Sequence, residues 1–242
     1  MSFKNKCIIV TGGANGIGKK IVERFLEEEA IVYVIDQVET LDNKAVHFFS
    51  GDLAQKETLE NFVKSLDKPI DVLVNNAALS KKGLLSDCSY EDFEYVQKVN
   101  VIAPYYLTSL LKKNNLLAPN ASIINMTSTR AFQSQADTES YSASKGGIAA
   151  LTHSLAISLS GIARVNSIAP GWIDVSDNPI HSNQDKLQHP VGRVGSPDDI
   201  AQMVLFLASE KSSFITGENV TIDGGMSKLM IYNEDNNWHY NV

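Results

Sequence analysis

The sequence predicts an α/β protein, a doubly wound and parallel seven-stranded sheet forming a single domain. Three observations predict it. Seven short runs rich in Val and Ile recur along the chain, and most do not alternate with polar residues, as strands buried on both faces require. Amphipathic stretches separate most of these runs, which is the strand–helix alternation of a doubly wound sheet. A glycine-rich turn leads directly from the first run into the first amphipathic stretch.

Each element has its own justification. The first run, Cys7–Val10, enters Thr11-Gly12-Gly13-Ala14-Asn15-Gly16-Ile17-Gly18, and a helix is expected over 16–29. Glycines permit positive φ and close backbone approach, and a helix N-terminus offers unpaired N–H groups and a positive dipole end. Gly12, Asn15, Gly16, Ile17 and Gly18 therefore read as a cradle for the pyrophosphate of a dinucleotide. The second run, Ile31–Ile35, ends at Asp36, where a carboxylate accepts hydrogen bonds from the adenosine ribose hydroxyls. The same carboxylate repels a 2′-phosphate, so the expected cofactor is NAD. Only Asp36–Ala45 separates this run from the third, Val46–Phe49, so the intervening helix should be vestigial or absent. A helix over 55–66 then precedes the fourth run, Ile70–Val74.

The helix expected over 90–113 places Asn100 on the face shared by Val96, Ala103 and Leu107, where a buried polar residue needs a reason. Pro104, four positions on, has no N–H to give the Asn100 carbonyl, which is left able to hold a water. The fifth run, Ser122–Met126, ends just before Ser128, and strand ends are where ligands bind in open α/β sheets. The helix over 140–160 opens with Tyr141 and Lys145 at i and i+4, on one face. The run Ile162–Ile168, a helix over 197–209 and the run Asn219–Ile222 complete the sheet.

Composition removes several function classes. Of 242 residues, 43% are hydrophobic and 20% charged, which is too apolar for a disordered chain. The formal net charge of −7 argues against a nucleic-acid partner. No apolar run approaches the ~20 residues of a membrane span, and the N-terminus lacks a signal-peptide layout. Two cysteines, Cys7 and Cys88, fit a reducing, cytoplasmic setting, and the five histidines show no ligand spacing, so no metal is expected.

These motifs together resemble the short-chain dehydrogenase/reductase family, in its short subclass, over about residues 4–226. Thr11-Gly12-x-x-x-Gly16-x-Gly18 matches its cofactor turn, and Asp52-Leu53 its adenine-contacting pair. Asn75-Asn76-Ala77-Ala78 matches its Asn-Asn-Ala-Gly motif, with Ala78 for the usual Gly. Asn100, Ser128, Tyr141 and Lys145 match the catalytic four, Pro170-Gly171 the pair after the sixth strand, and Phe214 through Gly225 the C-terminal signature. The resemblance implies a Rossmann-type fold and cofactor contacts at Asn75, Ala77, Tyr141, Lys145, Pro170, Gly171 and Ile173. It also implies that Lys145 binds the nicotinamide ribose, that a water links Asn100 to Lys145, and that the chain forms a homodimer or homotetramer. The chemistry follows from the residues: a Tyr with a free pKa near ~10 is a poor base at neutral pH, and a neighbouring ammonium favours its ionised form. Ser128 can hydrogen-bond the substrate oxygen.

The expected reaction is interconversion of a secondary alcohol and a ketone, with a small-molecule substrate. The Thr that usually follows Pro-Gly-x-Ile-x is Val175 here, which cannot bond the carboxamide through its side chain, although Ser176 could compensate. Residues 174–190 read as a short, polar substrate lid, which favours a sugar, polyol or hydroxy acid over a steroid or long acyl chain. Arg130 reads either as a partner for an anionic substrate or as a solvated loop charge, and Trp172 as a pocket wall. The aromatic tail, 226–242, is expected to pack on a neighbouring subunit or beside the lid. The competing readings are a 3-oxoacyl-thioester reductase, a hydroxysteroid dehydrogenase, and a non-enzymatic dinucleotide sensor or scaffold.

Overall fold

The computed structural model describes residues 3–38, 45–232 and 234–235. Seven parallel strands form one sheet in the order β3-β2-β1-β4-β5-β6-β7. They are β1 (Cys7–Thr11), β2 (Ile31–Asp36), β3 (Val46–Ser50), β4 (Ile70–Asn75), β5 (Leu117–Met126), β6 (Ala163–Pro170) and β7 (Asn219–Ile222). Side chains alternating along these strands feed two apolar cores, one on each face. Ile9, Ile35, Leu73 and Ile123 belong to one; Ile8, Val34, Val74 and Ile124 belong to the other. This is why the runs read as continuously hydrophobic.

The helices are α1 (Gly16–Glu27), α2 (Lys56–Lys64), α3 (Tyr90–Gln97), α4 (Ala103–Lys113), α5 (Glu139–Ser158), α6 (Asn183–Leu187) and α7 (Pro197–Ala208). Helix α1 buries Ile21, Val22 and Phe25 against the second core, each such side chain contributing roughly 1.5–3 kcal/mol. Strand order reverses between β1 and β4, and the crevice at that switch point is the ligand site of such sheets.

Three expectations are corrected. The helix over 90–113 is interrupted: residues Lys98–Ile102 form a π-helical turn between α3 and α4, and the Ala103 N–H reaches back five residues to the Lys98 carbonyl. Pro104, in the first turn of α4, has no N–H for an i−4 bond, so the regular ladder cannot run through this point. The fifth strand begins at Leu117, not Ser122. It passes Pro119-Asn120 by a register shift opposite Ile70/Val72, with Asn120 at positive φ, a combination that resembles a turn in sequence. The lid contains an unexpected helix, α6, closed by a Ser182–Asp185 capping box. The expectation for the β2–β3 connection falls largely on residues 39–44, outside the described residues, as do Trp238 and Tyr240 of the tail. Among the described residues no helix is long and apolar enough to cross a membrane, and no cluster of His, Cys, Asp and Glu could hold a metal.

Candidate active site

The glycine turn leaves β1 with Gly12 at φ +63° and Gly16 at φ +54°. A Cβ on Gly12 would lie 2.8 Å from the Ala77 Cα, and one on Gly18 would lie 2.0 Å from the Gly12 carbonyl oxygen. Backbone meets backbone here, so no larger residue fits. The floor is braced from β4: Asn76 Nδ2 donates to the Thr11 and Gly12 carbonyls at 3.1 and 2.9 Å, and the Ala77 N–H donates to Thr11 Oγ1 at 3.0 Å. Asn15, at the N-cap of α1, makes no side-chain cap bond, so it does not close the helix end.

Above this floor lies a cavity of about 460 Å³. Gly12, Asn15, Gly16, Ile17, Gly18, Asp36, Asp52, Leu53 and Ala77 line it, as the sequence motifs predict. Asp36 is held in place at its rim: Oδ2 accepts from the Ala14 N–H at 3.0 Å and Oδ1 from the Gln37 N–H at 2.7 Å. Among the described residues no lysine or arginine lines the cavity. A helix N-terminus, an anchored carboxylate and a backbone cradle fit a nicotinamide dinucleotide.

Six expected cofactor residues do not line the cavity: Tyr141 and Lys145, at the reacting end, and Asn75, Pro170, Gly171 and Ile173. Asn75 is buried and donates from Nδ2 to Asn125 Oδ1 at 2.8 Å, below the cavity. Pro170 is buried, Gly171 packs so closely that a Cβ would lie 2.5 Å from the Asp223 Cβ, and Ile173 packs on the second core. These residues shape the β6 end without lining the cavity. Val175 lines it instead, its side chain 3.3 Å from where a Gly16 Cβ would be. Ser176 is committed to Asp174, donating to Oδ1 from both its N–H and its hydroxyl. Val99, Leu79 and Ala78 also line the cavity. Val99 lies in the π-helical turn, whose only sequence signal is Pro104.

The reacting groups gather at the ends of β5 and α5. Ser128 is buried just past β5, and Tyr141 lies in the first turn of α5. Lys145 is buried beneath, its Nζ donating to the Met126 carbonyl at 2.7 Å and lying 5.3 Å from the Tyr141 ring centroid. Burial drives this ammonium down to about 7. Burial also raises the Tyr141 phenol, and the groups that pull it back are Ser128 and the charge of Arg130. Lys145 is not among those groups: its ammonium is desolvated and engaged by the Met126 carbonyl. Asn100 is buried; its Oδ1 accepts from the Leu79 N–H at 3.0 Å, and its Nδ2 donates to the Leu79 carbonyl and Ser144 Oγ, each at 2.9 Å. Its side chain thus ties the loop after β4 to α5 and is not offered to a substrate.

On the substrate side, Trp172 is half exposed, with His181 edge-on at 5.8 Å and His189 tilted at 5.9 Å. His181 Nε2 pairs with Asp174 Oδ2 at 2.7 Å. The lid is less uniformly polar than expected on its outside, where Ile180 and Leu187 are exposed.

A family model described as Enoyl-(Acyl carrier protein) reductase matches residues 12–227. An apo SCOR enzyme from Clostridium thermocellum is 46% identical, with a TM-score of 0.91 over 98% of this chain and 99% of that one. A 3-oxoacyl-[acyl-carrier-protein] reductase FabG from Chlamydia pneumoniae is 35% identical over 94% of this chain and 99% of its own. A 4-hydroxyisoleucine dehydrogenase complexed with NADH is 27% identical, with a TM-score of 0.85 over 93% of this chain and 100% of that one.

Proposed function

The chain belongs to the short-chain dehydrogenase/reductase family, enzymes acting on CH–OH groups with a nicotinamide cofactor, and from that premise we propose that it is an NAD-dependent dehydrogenase of a small polar secondary alcohol, a sugar, polyol or hydroxy acid. The observation that carries the cofactor preference is Asp36, held at the cavity rim by the Ala14 N–H, with no cation among the described residues lining the cavity to receive a 2′-phosphate. The NADH-bound 4-hydroxyisoleucine dehydrogenase supports both halves of the reading. The FabG relative and the description of the family model support a second reading, reduction of a 3-oxoacyl thioester. Asp36 and the net charge of −7, unsuited to an acidic carrier, count against it. Exposed Ile102, Tyr105 and Ile157 support assembly as a homodimer or homotetramer.

NAD supplies the hydride acceptor, with its oxidised ring carrying the positive charge. The chain's residues do the rest. Ser128 Oγ holds the carbinol oxygen beside the Tyr141 hydroxyl. Tyr141 removes the hydroxyl proton in oxidation and returns it in reduction. Lys145 is held under the Tyr141 ring by Met126, where its charge can support the phenolate. Asn100 keeps α5 and the loop after β4 in register.

Nicotinamide absorbance with NAD and NADP, against sugars, polyols, hydroxy acids and an acetoacetyl thioester, tests this. Turnover is expected with NAD, and Tyr141→Phe should lower kcat by about 10³-fold. The base is the deprotonated phenol and burial raises its pKa, so wild-type oxidation should climb about tenfold per pH unit through neutrality. Turnover surviving in Tyr141→Phe would overturn the acid–base assignment. Preferential thioester reduction with NADPH would select the second reading, and NADH binding without turnover a sensor.

A further inference from the structure

Arg130 belongs to no part of the machinery described so far, yet it stands beside it. It follows Ser128 by two residues, in the single turn Thr129–Ala131, and its own N–H donates to Ser128 Oγ at 3.2 Å. The side chain is half-buried, and its charge is felt at the Tyr141 hydroxyl. Its guanidinium is oriented by Gln135, whose side-chain carbonyl accepts from Nη2. That partner is neutral, so it aims the guanidinium without cancelling its charge.

The acidic residues nearest along the chain are committed elsewhere. Asp137 Oδ1 accepts from the N–H groups of Gly83, Leu85 and Ser86, and Glu139 Oε2 accepts from the N–H of Leu84. Among the described residues no carboxylate forms an ion pair with Arg130, whereas Arg24 and Arg193 each have one. Two other nitrogen-bearing side chains at this end are committed elsewhere: Lys145 is buried on the Met126 carbonyl, and His181 is paired with Asp174. A guanidinium with no counter-charge is available to an incoming anion, and its planar fork suits a carboxylate held by two parallel bonds.

We propose that Arg130 anchors a carboxylate of the substrate, which makes the substrate a hydroxy acid whose carboxylate lies within a few bonds of the carbinol carbon bound at Ser128 and Tyr141. This rests on the dehydrogenase reading and narrows its substrate class. The backbone of Arg130 itself touches Ser128, which ties the guanidinium to the reacting end within one side-chain length.

The test compares each hydroxy acid with its primary amide, using wild type, Arg130→Lys and Arg130→Gln with NAD. The wild-type preference for the acid, as a ratio of kcat/KM values, should fall at least 30-fold in Arg130→Gln and part-way in Arg130→Lys. Binding is read separately by quenching of bound NADH fluorescence with malonate and with inorganic phosphate. Malonate should bind the wild-type NADH complex and weaken at least 30-fold in Arg130→Gln, while unchanged NADH affinity shows the variant is folded. A preserved acid preference in Arg130→Gln, or malonate binding equal in both proteins, overturns the proposal and leaves the dehydrogenase reading standing. Tighter phosphate than malonate binding overturns the carboxylate in favour of a phosphorylated substrate. Absence of NADH binding would instead sink the dehydrogenase reading itself.

Discussion

At the cofactor end of the crevice, main chain packs on main chain: a Cβ on Gly18 would stand 2.0 Å from the Gly12 carbonyl oxygen and 2.5 Å from Asn76 Nδ2. At the substrate end, a Cβ on Gly146, the residue after Lys145, would meet nothing nearer than the Ala131 carbonyl at 3.9 Å. The first region is defined by where atoms cannot go. The second is defined by side chains of β5, α5 and the lid that converge from 128 to 189, with room around them. The same reaction needs both, because a shared dinucleotide demands a fixed cradle while a particular alcohol demands only a few well-placed groups.

Substituting the same residue type in the two regions should give opposite results, and the larger effect belongs to Gly18→Ala. Its Cβ would meet a backbone oxygen that cannot move without displacing β1, so about 3 kcal/mol of stability should be lost, the upper end of overpacking costs. Dinucleotide affinity should fall at least ~30-fold, since displacing the cradle misaligns the α1 N-terminus. Denaturant unfolding and a titration with NADH check both effects. A Gly18→Ala protein with normal stability and affinity would remove the distinction between the regions.

This difference also decides what could be read from the sequence. Steric exclusion demands glycine, so Gly12, Gly16 and Gly18 announce the cradle. The depth of the sheet demands Val and Ile, so all seven strands are visible as runs. Tyr141 and Lys145 are legible because a helix places i and i+4 on one face. Four things were not legible. The π-helical turn at Lys98–Ile102 is a shift of hydrogen-bond partner that leaves the apolar pattern intact. The rotation of Asn75 towards Asn125 depends on a strand 50 residues away. Val175 lines the cavity because Ile173 is anchored by its bridge to Gly195. The desolvation of Lys145 exists only once Met126 and the cores enclose it.

A smaller effect tests the carboxylate that closes the cofactor end. Asp36→Ala removes an acceptor oriented by the Ala14 N–H and the negative charge that opposes a 2′-phosphate. The kcat/KM ratio of NAD to NADP should fall about 10–100-fold, the range of one charge-assisted hydrogen bond at ~1.5–3 kcal/mol. Most of the change should appear in KM, because the ribose contacts are made equally in ground and transition states. An unmoved ratio would mean that the selectivity lies outside Asp36.

The smallest effect is the counterpart of the first. Gly146→Ala adds a methyl group in open space on a helix, where alanine is the better residue by about 0.5–1 kcal/mol. The gain comes mainly from restricting the unfolded chain, since the one new contact, to the Ala131 carbonyl at 3.9 Å, is an ordinary van der Waals contact. For a chain of this length the melting temperature should rise by about 2 °C. Activity is the sharper readout. Gly146 lies one residue from Lys145, so unchanged turnover beside a raised melting temperature would show that this end of the crevice tolerates added volume. A fall in both would mean that α5 is packed as tightly as the glycine turn, and that the two ends are built alike.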